Sequence, residues 1–370
     1  MYRSDPLDAL SPSHVTAGAV HHRPTLLGIA SAHPPFEVNQ EETAEFFRRV
    51  STVPYVKRIV ESTKVRKRHI MWDPDSLREV SALMTGDRMA AHSEAVIDVA
   101  SRSLKEAIGD FDTQRVGSFV MACSTGYVNP GPDLMLAKEL GLRSDLRRTF
   151  IGHMGCYAAL NVIKVAMDSV AARPDELVIC NNTELSSAHI RESLMPGEDP
   201  VEALITQALF GDASVSMLMG SAPDGAGIQF LRTHTEQLYD QHTMMSLNIG
   251  NRSFWMTLAA GVPAVLEENI DAFLARLLTP LGLSKDDVAH WGIHPGGPKI
   301  VRKLGKQLAL EPEQLRASWD VLANAGNCAS ATVLLVLENI LRVDKPRRGE
   351  HGVLLTFGPG LTIEGAVLRF

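Results

Sequence analysis

Several things are scarce in this sequence, and each scarcity narrows what it can be. Only four cysteines (Cys123, Cys156, Cys180, Cys328) stand among 370 residues. They are too far apart for a zinc knuckle and too few for a disulfide scaffold, so free thiols in a reducing cytoplasm fit best. No segment approaches the roughly 18 consecutive apolar residues of a membrane span, which argues against membrane insertion. Basic residues are not in excess: 36 Lys and Arg face 43 Asp and Glu, a formal net charge of −7, so bulk electrostatics do not suggest nucleic-acid binding. Residues 1–24 mix Ser, Pro, His and charges with no apolar stretch of signal-peptide length, and read as a flexible leader. What remains is the 45% hydrophobic, 21% charged composition of a globular protein. Its length suits two domains or one large duplicated unit.

From Thr25 onward, short apolar runs alternate with helical stretches. The predicted strands are Leu26–Ser31, Val116–Cys123, Leu177–Cys180, Val215–Met219, Val288–His294, Val353–Phe357 and Thr362–Phe370. The predicted helices are Gln40–Arg49, Ser93–Ile108, Asp133–Leu140, Ala158–Val170, Ala264–Leu278, Pro298–Leu308 and Ala331–Leu341. This alternation is that of an α/β protein. Helices Ala158–Val170 and Ala331–Leu341 are apolar nearly all round, a pattern that places a helix in the centre of a large protein.

Those two helices reveal an internal repeat. Gly155-Cys156-Tyr157-Ala158 and Gly326-Asn327-Cys328-Ala329 lie 171 residues apart, and the same shift carries strand Phe119–Cys123 onto His290–His294. The repeat predicts two α/β halves, residues 25–225 and 226–370, packed face to face so that corresponding loops meet at one central site. Cys156, His294 and Asn327 occupy such loop ends.

A Cys, a His and an Asn at one site suit thioester chemistry. A helix N-terminus and a neighbouring imidazole both favour a thiolate, so the Cys156 thiol is expected to titrate below its ordinary value. His294 and the amide of Asn327 both donate hydrogen bonds to a carbonyl oxygen and stabilise an oxyanion or enolate. The plain alternatives are an inert buried cysteine, a satisfied core histidine and an asparagine capping the following helix.

The motifs Gly155-Cys156, Gln207-Ala-Leu-Phe210-Gly-Asp212, His294-Pro-Gly-Gly-Pro298, Gly326-Asn327 and Phe357-Gly-Pro-Gly360-Leu-Thr occur in this order over residues 25–370. Together they make the chain resemble a type III polyketide synthase, the chalcone-synthase-like branch of the thiolase fold. The resemblance implies a five-layer α-β-α-β-α architecture and a homodimer, with Val128-Asn129-Pro130 reaching across its interface. It implies acyl-CoA and malonyl-CoA as substrates, with coenzyme A as carrier and no metal or redox cofactor. By the same resemblance Cys156 bears the acyl group, His294 and Asn327 bind and decarboxylate the malonyl thioester, and Phe210 gates the cavity. Thr125, Ser186, Ala188, His189, Thr206, Met256, Gly358 and Pro359 correspond to further gate and cavity positions.

Departures from the plant pattern put a flavonoid product in doubt. Met256 stands where plant members carry a second gate phenylalanine, and a methionine there admits a flexible aliphatic chain. His189 is unusual at its position and is a candidate for assisting cyclisation. Thr356 begins the Phe-Gly-Pro-Gly loop where the family has glycine, and Cys328-Ala329-Ser330 replaces the usual Met-Ser-Ser. The run Lys57–Arg68 holds six cations against one Glu. Arg58 matches a coenzyme-A-contacting arginine, while two family lysines fall at Tyr55 and Ser62, leaving Lys57 and Lys64 as candidate replacements. A solvated charged face is the plain reading of that run. His294–Ile300 and Ser318–Ala323 resemble bacterial alkylpyrone synthases, which implies a fatty acyl starter and a pyrone or resorcinol product. Two other readings use the same fold: a single-round ketoacyl-carrier-protein synthase and a catalytically silent partner subunit.

Overall fold

The computed structural model describes residues 22–51, 53–195 and 197–370. Of the expected leader, residues 1–21 lie outside the described residues. Its last three, His22–Pro24, belong instead to the first strand.

In chain order the N-terminal half contains β1 (His22–Ala32), β2 (Phe36–Asn39), α1 (Gln40–Val50), α2 (Val56–Ser62), β3 (Lys67–Ile70), α3 (Leu77–Ala82), α4 (Thr85–Ile108), β4 (Val116–Ala122), α5 (Pro132–Glu139), β5 (Arg147–Ile151), α6 (Ala158–Ala172), β6 (Leu177–Leu185), α7 (Pro200–Leu209) and β7 (Asp212–Pro223). The C-terminal half contains β8 (Ile228–Gln237), β9 (Met245–Ile249), β10 (Phe254–Leu258), α8 (Val262–Leu278), β11 (Val288–Ile293), α9 (Pro298–Gln307), α10 (Pro312–Ala325), α11 (Ala331–Asn339), β12 (His351–Gly358) and β13 (Thr362–Arg369).

Nine strands form one sheet system in the order β11-β12-β13-β8-β1-β7-β6-β4-β5. Among the described residues its two halves join where β1 pairs with β8 through Thr25↔Gln229 and Leu26↔Ile228. Each half repeats the other's logic. Strand β4 runs parallel to β6, which is followed by antiparallel β7 and β1. Strand β11 runs parallel to β12, which is followed by antiparallel β13 and β8. The extra strand β5 pairs parallel to β4 and has no counterpart beside β11.

Helices α6 and α11 lie between the two halves. Leu160, Ile163, Leu334 and Val336 share one core with Val178 and Val215 of one sheet half and Leu354 and Leu368 of the other. Neither helix has a side-chain N-cap. A missing cap costs about 1 kcal/mol, whereas each buried Leu or Ile contributes about 1.5–3 kcal/mol, so packing decides the matter. Helix α4 covers the outer face of the first half through Val96 and Leu104 against Phe119 and Ile179. Helices α8 and α9 cover the outer face of the second through Phe273 and Leu304 against Val353 and Ile363. The result is the expected five-layer, thiolase-like arrangement.

Strand β6 is buried along its whole length and extends beyond the predicted Cys180 to Leu185. That extension carries polar residues into the centre of the molecule. Strands β2, β3, β5, β8, β9 and β10 and helices α2, α3, α7 and α10 lie outside the predicted elements. Polar and charged side chains break the apolar pattern of β5 and β8, whereas α7 and α10 each open on an acidic residue followed by proline (Asp199-Pro200, Glu311-Pro312), a helix-start signal in the sequence.

Candidate active site

Cys156 lies in a short 3-10 turn, Gly155–Tyr157, that leads into α6. Gly155 has φ +66°, and a Cβ there would stand 3.0 Å from Pro359 Cδ, so both conformation and space demand glycine. Its N–H donates to Ser124 Oγ at 3.1 Å. The turn thereby ties Cys156 to the loops after β4 and β12.

His294 follows β11, anchored by its N–H to Leu355 O at 2.8 Å. The side chain is buried and neither ring nitrogen has a hydrogen-bond partner. Burial pushes its pKa down to about 3, which keeps the imidazole neutral.

Asn327 is held at both ends. Its backbone N–H donates to Leu209 O at 2.9 Å and its carbonyl accepts from Gly211 N at 3.0 Å, forming a bridge opposite Phe210. Its Oδ1 accepts from Ala329 N at 2.9 Å and Thr332 Oγ1 at 3.2 Å. The amide orientation is thus fixed, and Nδ2 reaches Gly296 O, in the loop after His294, at 3.5 Å. A hydrogen bond from Asn327 also favours the ionised form of Cys156.

The expected low-pKa thiol is not what the structure contains. Burial, and after it the charge of Glu184, push the Cys156 thiol up to about 12. These effects outweigh the Asn327 hydrogen bond. No hydrogen bond joins Cys156 to His294, so the resting pair is a neutral thiol and a neutral imidazole.

Glu184 is the functional-site residue that sequence reasoning missed. It is fully buried at the end of β6. Oε1 accepts from Ser330 Oγ at 2.7 Å and Oε2 from Ser124 N at 2.9 Å. Burial raises its pKa to about 6. A carboxylate in the polar run Asn181-Asn182-Thr183-Glu184 was the available signal.

A cavity of about 850 Å³ opens beside Cys156. Of the residues expected there, Thr125, Ser186, His189, Thr206, Phe210, Met256 and Pro359 line it with Cys156. Ala188 does not; it is buried, and its carbonyl accepts from Arg88 at 2.7 Å. Gly358 also stands off the wall, packed so that a Cβ would meet Tyr157 at 2.5 Å. His294 and Asn327 are not among its lining residues.

His189 is not a free acid or base. Its Nε2 donates to Thr125 O at 2.7 Å and its Nδ1 accepts from Phe254 N–H at 3.2 Å. The ring stacks on Phe254 at 4.5 Å, and burial lowers its pKa to about 3. With both nitrogens engaged it is a wall of the cavity, which corrects the expectation that it assists cyclisation.

The basic run divides in two. Lys57, Arg58 and Lys64 are exposed and form no ion pair among the described residues. Arg68, in contrast, is buried, and its guanidinium donates to the carbonyls of Gln207 and of Phe210, the latter at 2.6 Å. It is a clamp on the end of α7 rather than a free cation. The exposed cations lie away from the cavity. Val65, next to Lys64, packs with Leu209 and comes within 3.6 Å of where a Gly326 Cβ would stand.

A buried thiol on the wall of a cavity, with a fixed amide and a free buried imidazole in a duplicated α/β fold, marks an acyl-transferring enzyme of thiolase-like architecture. The comparisons narrow the class. The family described as "Chalcone and stilbene synthases" matches through its N-terminal domain at residues 13–223 and its C-terminal domain at residues 230–370. The "Alpha-pyrone synthesis polyketide synthase-like Pks18" of Mycobacterium tuberculosis is 29% identical over 378 residues, covering 97% of this chain and 93% of that protein. Among solved structures, PKS-I of the brown alga Ectocarpus siliculosus is similar, with TM-score 0.85, 26% identity, and 94% and 98% of the two chains covered. The C-terminal type III polyketide synthase domain of Steely1, a type I/III hybrid from Dictyostelium, has TM-score 0.85, 25% identity, and 94% and 99% coverage. The chain belongs to the chalcone and stilbene synthase family and is a type III polyketide synthase, an acyltransferase. No helix among the described residues is long and apolar enough to cross a membrane.

Proposed function

We propose that this enzyme condenses malonyl-CoA iteratively onto a fatty acyl starter held on Cys156 and releases an alkylpyrone or resorcinol-type product. The observation that carries the reading is the pairing of His294, buried with both ring nitrogens free, with Asn327, whose amide is oriented by two donors to its Oδ1.

The thiol loses its proton to the His294 imidazole as sulfur attacks the starter thioester, the bond to the coenzyme A sulfur breaks, and the imidazolium passes the proton to the departing thiolate. The resting site does not hold the thiolate, so deprotonation is coupled to substrate arrival. Malonyl-CoA then places its thioester carbonyl against His294 and Asn327. As carbon dioxide leaves, its bonding electrons pass into an enolate whose oxygen those two donors hold. The enolate carbon attacks the Cys156 thioester and the cysteine sulfur leaves, so the lengthened chain sits on the coenzyme A of the malonyl unit. Cys156 then attacks that thioester, coenzyme A departs, and the chain is back on the cysteine for the next round. Lys57, Arg58 and Lys64 bind the phosphates of coenzyme A, and Phe210 separates that entrance from the cavity. No metal or redox group is called on.

An aliphatic starter is supported by Met256 on the cavity wall and by the alpha-pyrone relative at 29% identity. Exposed Tyr127, Val128 and Phe150 line the outer part of the cavity, and we place a second copy of the chain over them in a homodimer. The four free, buried cysteines suit a cytoplasmic enzyme. Incubation with malonyl-CoA and a panel of acyl-CoAs tests the reading. Mass spectrometry is expected to show pyrones or resorcinols from long acyl starters with the natural protein and none with Cys156→Ala. Undiminished product from Cys156→Ala, or no condensation with any starter, overturns it.

A further inference from the structure

The loop that leads into the Cys156 turn carries a histidine of its own. Strand β5 ends at Ile151, whose carbonyl accepts from Cys123 N–H at 3.3 Å. Four residues on, Gly155 N–H donates to Ser124 Oγ at 3.1 Å. The loop is thus pinned at both ends to the segment after β4. Between the pins stands His153, with φ +64°, a left-handed conformation that L side chains rarely adopt and that glycine would hold without strain. Such outliers cluster at active sites. His153 lines the same cavity as Cys156. It is exposed, and its ring forms no hydrogen bond or ion pair among the described residues.

The other titratable side chains on that wall, the nucleophile aside, are occupied or unsuited to moving a proton. His189 uses both ring nitrogens. His92 Nε2 meets Thr125 Oγ1 at 3.1 Å, and the Cys123 thiol lies 3.7 Å from the same hydroxyl. Asp133 pairs with Arg148 at 2.6 Å, and Arg191 pairs with Glu198. Tyr127 is exposed, but a phenol holds its proton where an imidazole takes one and returns it. Three peptide units separate His153 from Cys156, so their Cα atoms stand no more than about 11 Å apart. That is within the span of a chain grown on the sulfur.

We propose that His153 is the proton carrier for ring closure, and that it directs a twice-extended chain to a pyrone. The inference rests on the reading that Cys156 bears the growing polyketide. After two extensions the chain is a 3,5-dioxo thioester, and its C5 enol oxygen lies six ring atoms from the thioester carbonyl. His153 takes the enol proton as that oxygen bonds to C1. The bond from C1 to the Cys156 sulfur breaks, and the imidazolium passes the proton to the departing thiolate. The product is a 6-alkyl-4-hydroxy-2-pyrone, and the resting thiol is restored. His294 keeps the decarboxylation and loading steps, so the two histidines divide the reaction between them.

The test uses His153→Asn and His153→Gly, since both residues accept the left-handed backbone and neither carries an imidazole. A synthetic 3,5-dioxoalkanoyl thioester of N-acetylcysteamine is offered directly, and pyrone is followed by mass spectrometry at neutral pH against the rate in buffer. Enzymatic closure is expected to fall about 100-fold in both variants, and free imidazole to restore about a tenth of the natural rate in His153→Gly. Acylation of Cys156 by palmitoyl-CoA, read on the intact protein, is expected to fall far less. With malonyl-CoA supplied, the dioxo chain is expected to accumulate as a thioester in the variants. Closure within twofold of the natural rate in both variants overturns the proposal. So does parallel loss of acylation and closure, which would make His153 a support for the Cys156 turn, and so does a loss that imidazole does not restore. A natural enzyme that closes the thioester no faster than buffer overturns it as well. If palmitoyl-CoA and the other starters leave Cys156 unacylated, the proposed function falls, and the direct thioester assay still decides the role of His153.

Discussion

Among single side chains, Glu184 does most to set the resting state of the thiol after burial itself. Its charge acts on Cys156 in the same direction as desolvation. Glu184→Gln is nearly isosteric and keeps an oxygen to accept from Ser330 or Ser124. It is expected to lower the Cys156 pKa by about half to one unit and speed iodoacetamide labelling at pH 7.5 about 3- to 10-fold. An unchanged or slower rate would show that Glu184 does not govern the thiol. Asn327→Ala probes the other donor. Carbon dioxide release from malonyl-CoA is expected to fall about 100- to 1,000-fold, while acylation of Cys156 by acyl-CoA falls much less. Parallel loss of both would mean that the site had collapsed rather than lost an enolate donor. His294 and Asn327 were legible in the sequence because the internal repeat placed them on equivalent loops. Glu184 was not, because its burial depends on Ser330, 146 residues away, and on a backbone N–H after β4. The same long-range burial reversed the expected shift of Cys156. A helix N-terminus is visible in a sequence, but the dielectric around it is not.

At the scale of elements, the gate is a property of how α7 ends. Arg68 on β3 donates to the carbonyls of Gln207 and Phe210, and its charge favours ionisation of the buried Asp212. Asp212 in turn accepts from Ser187 N at 2.8 Å and Met71 N at 2.9 Å. Arg68→Met keeps the stem and removes the donors. It leaves two carbonyls unpaired and a buried carboxyl without its cation, and is expected to cost about 3 kcal/mol or more in denaturant unfolding. A loss below about 1 kcal/mol, within the range of an ordinary surface change, would remove Arg68 from the gate's support. Elements with one dominant pattern were read correctly from the chain: β4 and β11 as apolar runs, α6 and α11 as helices apolar on every side. Strand β8, Ile-Gln-Phe-Leu-Arg-Thr-His-Thr-Glu-Gln, was hidden because most of its residues are only half-buried and polar. Arg68 was counted with the surface cations because charge alone does not reveal that a side chain turns inward.

For the whole molecule, the two halves must stay in register, since the cysteine comes from one and the histidine and asparagine from the other. Helix α6 carries the cysteine turn, and Lys164 on it reaches across to the second half. Its Nζ donates to Glu364 of β13 at 2.7 Å and to Thr235 of β8 at 3.0 Å. Glu364 is 1% exposed, and its Oε2 has no partner. Burial raises its pKa, and Lys164, followed by a hydrogen bond from Thr235, opposes that rise. Lys164→Met therefore has a pH-dependent cost whose sign is fixed. Without the ammonium, the folded-state pKa of Glu364 rises further above its unfolded value. At pH 4 the carboxyl is protonated in the folded variant and little is lost. As pH climbs through the carboxylate range, the unfolded chain ionises freely while the folded one must bury an unpaired charge, so stability falls. The expected loss is about 3 kcal/mol at pH 8, most of it absent at pH 4. Glu364→Gln in the same background is expected to restore much of the pH 8 loss. Denaturant unfolding of the single and double variants at both pH values measures this. A loss equal at pH 4 and pH 8 would mean that Lys164 holds the halves together by packing its stem and not by its charge.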